Sequence, residues 1–209
     1  MKDIMSLTNK DKIILHLCAD VGSDSLPYRE AGYDVRCIGK AIGVENYHPP
    51  ENVYGIIANP PCTMFSIART RAKTPRDLRE GMRLVVECFR IIWECQYHTP
   101  LNKRIGSLKF WVIENPVTGM LRYFLGKPVY IYSPHEFGAD FTKRTALWGW
   151  FNPPVKPFWI RDLPKYSSVK HKMSIVNYVG TFAERREKQM HDRSACYEKF
   201  AQAFFEVNR

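Results

Sequence analysis

The sequence lacks the marks of several large protein classes. None of its six cysteines, at positions 18, 37, 62, 88, 95 and 196, forms a CxxC pair. No Cys/His cluster has zinc-ligand spacing, so no bound metal is expected. No apolar run approaches the length of a membrane span, and the opening "MKDIMSLTNKDK" is too polar for a secretory signal. The expectation is therefore a cytoplasmic chain without a membrane partner, in which a disulfide framework has no place. There is no internal repeat and no low-complexity segment, which excludes solenoids and arrays. Acidic residues are also scarce, 21 against 31 basic ones, for a formal charge of +10.

What is present reads as one α/β domain. The 209 residues are 45% hydrophobic and 25% charged, which suits a full core and a soluble surface. The basic surplus suits a polyanionic partner. It concentrates in residues 69–83 and 165–193, and the second stretch reads either as a solvated face or as a phosphate-tracking one.

Strands are expected at "KIILHLCAD", "YDVRCIG", "VYGIIANPP", "LKFWVIENP", "PVYIYSP" and "TALWGWF". Helices are expected up to Gly32, from an N-cap at Thr74 in "TPRD", at "TGMLRYFLG" and over the C-terminal "SACYEKFAQAFFEVNR". In the Thr74 helix, Leu78, Met82, Val85, Phe89, Ile92 and Trp93 recur at helical spacing and are expected to face a sheet. Strand–helix alternation through the first half predicts a mostly parallel sheet with helices on both faces. In such sheets ligands bind beyond the carboxyl ends of the strands. Three of those ends carry unusual chemistry: "CADVGSDS", "ANPPCTMFS" and "IENP".

Most of the cysteines fall in apolar runs and read as small core residues. Cys62 differs, because two prolines end the strand before it. A core residue, a metal ligand and a nucleophile are its three readings. Glu114 reads as a strand-end carboxylate or as an acid of a site, and Arg144 as a surface cation or as a site residue between two apolar runs.

Taken together and in order, these segments resemble DNA cytosine-5 methyltransferases. "NPPCTMFS" resembles their nucleophile motif and "WVIENP" their Glu-Asn motif. "FTKRTALWG" resembles their arginine motif, with Arg144 five residues before Gly149. "LHLCADVGSDSLPYREAGYDV" resembles their opening cofactor segment, and "FAQAFFEVN" the helix that packs back beside it. The resemblance covers most of residues 12–150 and the last helix, and is nearest to the short versions encoded by bacteriophages, whose cytoplasm would be the host's. It implies a Rossmann-like class I methyltransferase fold. It also implies catalysis by Cys62, Glu114 and Arg144, with Arg144 the cation that lowers the Cys62 pKa. Substrate contacts are implied for Pro61, Ser66, Asn115 and Lys143, Ser66 reading equally as a plain helix-start residue. S-adenosyl-L-methionine, or a derivative of it, would meet Cys18, Ala19, Asp20, Gly22, Ser23, Lys40 and Asn59. The catalytic domain would span 1–152, a short basic target-recognition-like region 153–194, and the returning helix 195–209. In that short region Trp159, Tyr166 and Tyr178 read as base-stacking or core aromatics.

The cofactor segment departs from the family pattern. Only Gly22 remains of the glycine loop, Asp20 stands where its first glycine would be, and the second strand ends in Gly39-Lys40 instead of an acid, with Glu45 the nearest substitute. A glycine there lets backbone approach the methionine part of the cofactor. Three consequences are open: an adjusted binding mode with Asp20 toward the amino group, a different cofactor, or binding without catalysis. The expected activity is C5 modification of cytosine in DNA. The alternatives are the same chemistry on a free pyrimidine nucleotide such as dCMP, and a catalytically silent protein that binds nucleotide or nucleic acid.

Overall fold

The computed structural model describes residues 8–19, 22–67, 69, 72–97, 108–157, 167–168 and 178–209. Six strands form one sheet: β1 (Ile13–Leu17), β2 (Asp34–Ile38), β3 (Val53–Ala58), β4 (Phe110–Pro116), β5 (Tyr130–Tyr132) and β7 (Thr145–Trp150). The short β6 (Phe141–Thr142) and β8 (Ser167–Ser168) pair separately. The order across the main sheet is β2-β1-β3-β4-β7-β5. Its first four strands are mutually parallel, and β7 runs antiparallel to both of its neighbours. The protein is thus α/β with a mixed, mostly parallel sheet.

All five residues of β1 are buried, because side chains alternate between two covered faces. Leu15, Leu17, Ile56, Ala58 and Ile113 pack with Val85, Cys88, Ile91 and Ile92 of α2 (Leu78–Tyr97). Ile14, Ile57, Phe110, Val112 and Leu147 pack on the other side. There they meet Tyr28 of α1 (Leu26–Glu30) and Phe200, Phe204 and Phe205 of the C-terminal helix Glu198–Asn208. Burying each of these phenylalanines stabilises the fold by about 2–3 kcal/mol. The helix is oriented by Tyr28 edge-on to Phe205 (4.9 Å) and by Tyr132 stacked on Phe200. Its end is fastened by the Asn208 amide, which donates to the carbonyls of Phe204 and Asn152 and accepts from the Asn152 N–H. The remaining α-helices among the described residues are α3 (Arg122–Leu125) and α4 (Phe182–Ser194), so the C-terminal one is α5. Among the described residues no helix is long and apolar enough to cross a membrane.

Two expectations about α2 are corrected. It begins at Leu78 and not after Thr74. Asp77 provides the cap, its side chain accepting from the Glu80 N–H. The preceding residues are held elsewhere: Arg76 donates to the carbonyls of Met64 and Ser66, and Arg69 to Thr74 and Pro75. The expected stripe faces the sheet through Leu78, Met82, Val85, Phe89 and Ile92, with Trp93 the exception. Cys88 and Ile91 are fully buried on the same face, whereas Trp93 is 43% exposed and stacks with Phe89 instead. α4 lies in the basic stretch for which a solvated helix face is one of the two expected readings. Its start is a capping box between Thr181 and Glu184.

Gly149 has a sheet-packing explanation. It sits opposite Val112 with φ +149°, and a Cβ there would lie 2.1 Å from the Trp111 carbonyl oxygen. Gly149→Ala is expected to destabilise the fold by roughly 2–4 kcal/mol. Urea unfolding followed by circular dichroism measures it, and a change below 0.5 kcal/mol, roughly that of an ordinary surface substitution, would contradict this account.

Candidate active site

The register of the parallel strands builds the site. Leu17 pairs with Ala58, and Ala58 with Ile113. The next residues, Cys18, Asn59 and Glu114, therefore leave the sheet at one level. Beyond them lies a cleft of about 350 Å³ lined from all three strand ends. The segment after β1 contributes His16, Cys18, Ala19, Gly22, Ser23 and Asp24. The segment after β3 contributes Asn59, Pro60, Pro61, Cys62 and Thr63, and β4 contributes Glu114, Asn115 and Pro116. Lys143, Arg193 and Ser194 close it.

Cys62 is held from both sides. Pro60 is buried beneath it, and the N–H groups of Phe65 and Ser66 donate to its carbonyl (2.9 and 2.7 Å). Arg76 grips the same turn from below through the Met64 and Ser66 carbonyls. Asn115, 1% exposed, donates its amide to the Pro60 carbonyl (2.9 Å). One hydrogen bond thus ties the strand end that carries Glu114 to the platform that carries Cys62.

Glu114 and Cys62 perturb each other. Burial holds the Glu114 carboxyl proton up to about pH 7, with Lys143 opposing the shift and Asp24 adding to it. Burial also pushes the Cys62 thiol up, Glu114 reinforces that, and Lys143 pulls it down. The expectation of a thiol lowered by Arg144 is therefore corrected twice. The thiol is raised, and the cation that pulls it down is Lys143. Arg144 is exposed and does not line the cleft, because alternation along this segment turns it outward when Lys143 points in. Lys143 is anchored by the carbonyls of Ser194 (3.5 Å) and Ala195 (3.2 Å).

Of the other expected contacts, Pro61, Asn115, Lys143, Cys18, Ala19, Gly22, Ser23 and Asn59 all line the cleft. Ser66 does not; its backbone serves the Cys62 turn. Asp20, Trp159 and Tyr166 lie outside the described residues. Lys40 lies in a second pocket of about 230 Å³, with Ile38, Gly39, Gly43, Val44, Glu45 and Arg83. Cys18 and Pro61 line both pockets and join them. Cys18 turns there with φ +56°, a conformation unusual outside glycine. Glu45 at that pocket is paired with Arg83.

Besides Thr63 and Ser194, three ionisable residues of the cleft escaped the sequence reading: His16, Asp24 and Arg193. His16 is 1% exposed within β1, with Nδ1 at 2.8 Å from Ser25 Oγ and Nε2 at 3.3 Å from Asn59 Oδ1. Burial lowers its pKa, so it stays neutral. Asn59 donates to Asp24 (3.1 Å). Arg193 arrives from α4. A histidine inside an apolar strand was the one available signal; Asp24 and Arg193 gave none. Among the described residues no group of three or more His, Cys, Asp or Glu is arranged to hold a metal ion.

The Glu114 shift has a stability consequence with a definite sign. The unfolded carboxyl loses its proton near pH 4.3, the folded one near 7. Between these values the native state binds more protons, so stability falls as pH rises and levels off above about 7. The full cost is at most about 4 kcal/mol at 1.36 kcal/mol per pH unit. Glu114→Gln is expected to gain stability relative to the parent from pH 4 to pH 8. Parallel denaturation curves across that range test it, and a constant difference would exclude a buried neutral carboxyl.

Compared with known proteins, the chain matches no family model, and no curated protein matches it.

Proposed function

We propose that this protein is a methyltransferase acting on C5 of cytosine through a covalent adduct at Cys62. The observation that carries the proposal is the meeting of Cys62, a raised Glu114 carboxyl and Lys143 in one cleft at the ends of parallel strands. The strand order, with a single antiparallel strand β7 inserted next to the edge, supports the finer reading of a Rossmann-like class I methyltransferase fold.

The residues account for the chemistry. A protonated Glu114 donates to the cytosine N3, and its carbonyl oxygen accepts from the exocyclic amine, a pattern that uracil cannot match. Lys143 steadies the negative charge of the thiolate. The Cys62 sulfur then adds to C6, and the C5–C6 electron pair moves to C5, which becomes the nucleophile. Once C5 carries the methyl group, solvent water takes the C5 proton, the C–H electron pair re-forms the C5–C6 double bond, and the S–C6 bond breaks to return the Cys62 thiolate. The Asn115–Pro60 hydrogen bond keeps sulfur and carboxyl in register during these steps.

The second pocket fits a nucleoside end of the methyl donor: it is glycine-walled at Gly39 and Gly43, apolar at Ile38 and Val44, and continuous with the cleft at Cys18. Glu45, oriented by Arg83, would meet the ribose hydroxyls. S-adenosylmethionine bound there supplies an electrophilic methyl carbon. The surplus of basic residues favours DNA as the substrate; a duplex would have to release the base into the cleft.

Cys62→Ser is expected to abolish product and the covalent trapping of a 5-fluorocytosine oligonucleotide by mass spectrometry. Undiminished turnover in that variant would sink the assignment, and turnover on dCMP with none on oligonucleotide would move the substrate to the free nucleotide. The reactive pair carries one proton, on carboxyl rather than sulfur. Its population grows with pH up to about 7 and then holds level until the raised thiol titrates. The parent kcat/KM is thus expected to rise about tenfold per pH unit below about 7 and then flatten.

A further inference from the structure

The floor and mouth of the cleft carry two opposite charges that the chemistry at Cys62 does not use. Asp24 is the negative one. Its side chain is 14% exposed, and its Oδ2 accepts from the Asn59 amide (3.1 Å) and lies 3.5 Å from the Ser23 hydroxyl. The ionisable groups against it are neutral: His16 at 3.9 Å, which burial keeps unprotonated, and the hydrogen-bonded Cys196 thiol, which burial holds protonated. A carboxylate this enclosed normally has a cation against it.

Arg193 is the positive one. It lines the same cleft, and its Nε is buried with no hydrogen-bond partner among the described residues. The chain just after it is stitched to the Asp24 loop. The Cys196 N–H donates to Ser23 Oγ (2.8 Å), and Lys143 binds the Ser194 and Ala195 carbonyls. The two charges are therefore carried on segments fixed to each other.

We propose that Asp24 and Arg193 form a clamp for a zwitterionic α-amino acid group, Asp24 taking the ammonium and Arg193 the carboxylate. Resting on the donor reading above, this assigns the amino-acid end of S-adenosylmethionine to the Cys62 cleft and its nucleoside end to the pocket at Lys40. Side chains here do the work that a glycine-rich loop does with close backbone approach. Gly22, at φ +73°, is the one glycine left in that loop to help.

The clamp is tested by calorimetry with four probes. S-adenosylmethionine and S-adenosylhomocysteine carry both charges, decarboxylated S-adenosylmethionine lacks the carboxylate, and 5′-methylthioadenosine lacks the whole amino acid. Asp24→Asn keeps an acceptor for Asn59 and removes only the charge. It is expected to weaken the first three probes about tenfold to a hundredfold and to leave methylthioadenosine unchanged. Arg193→Gln should weaken S-adenosylmethionine and S-adenosylhomocysteine by a similar factor, with no effect on the decarboxylated probe. This probe-by-variant pattern cannot arise from a general loss of structure, which would weaken all four. If methylthioadenosine binds the parent as tightly as S-adenosylmethionine, or if the variants weaken all probes equally, the clamp is wrong and the donor reading survives. If none of the probes binds the parent at millimolar concentration, the donor reading falls and the clamp with it.

Discussion

Leu17, Ala58 and Ile113 stand side by side in three parallel strands, and everything chemical in this protein starts one residue beyond them. Parallel pairing forces the three chains to leave the sheet at one edge and one height. Helices on both faces then bury β1 fully and most of β3 and β4, so the register cannot slip without moving polar residues into the core. The cleft is a consequence of that constraint, and the Asn115–Pro60 hydrogen bond locks two of its three walls together.

The same burial that stabilises the sheet sets the electrostatics of the site. Glu114 continues a strand whose neighbours are all packed, so its carboxyl keeps a proton into the neutral range. Cys62 shares the desolvated environment and is raised as well. Lys143 opposes both shifts, yet its ammonium is occupied by two backbone carbonyls at the α4–α5 junction. Below about pH 7 the cleft therefore keeps both the Glu114 carboxyl and the Cys62 thiol protonated.

α5 ties the last part of the chain to the first. Its phenylalanines fill the sheet face beneath the cleft, the end of α4 supplies Arg193 and Ser194, and the turn between the two helices supplies the Cys196 N–H that holds Ser23. A segment remote in sequence thus completes the wall against the loop after β1. The two pockets, sharing Cys18 and Pro61, follow the strand ends from β4 to β2.

Hydrophobic periodicity and proline placement were enough to determine the strands, the layering and the convergence of the Cys62, Glu114 and Cys18 segments, because burial on two faces leaves a strong local signature. They also singled out Cys62, since a proline pair at a strand end is legible without any partner in view. Tertiary structure alone decided which side chains face the cleft. Lys143 and Arg144 are adjacent, and only the path of the chain into β7 determines which turns inward. The start of α2 depended on Arg76 being claimed by the Cys62 turn, a contact between residues 64 and 76 that no helical propensity encodes. Asp24, His16 and Arg193 became site residues because distant segments were packed against them, and packing at long sequence separation leaves no periodic trace in the chain.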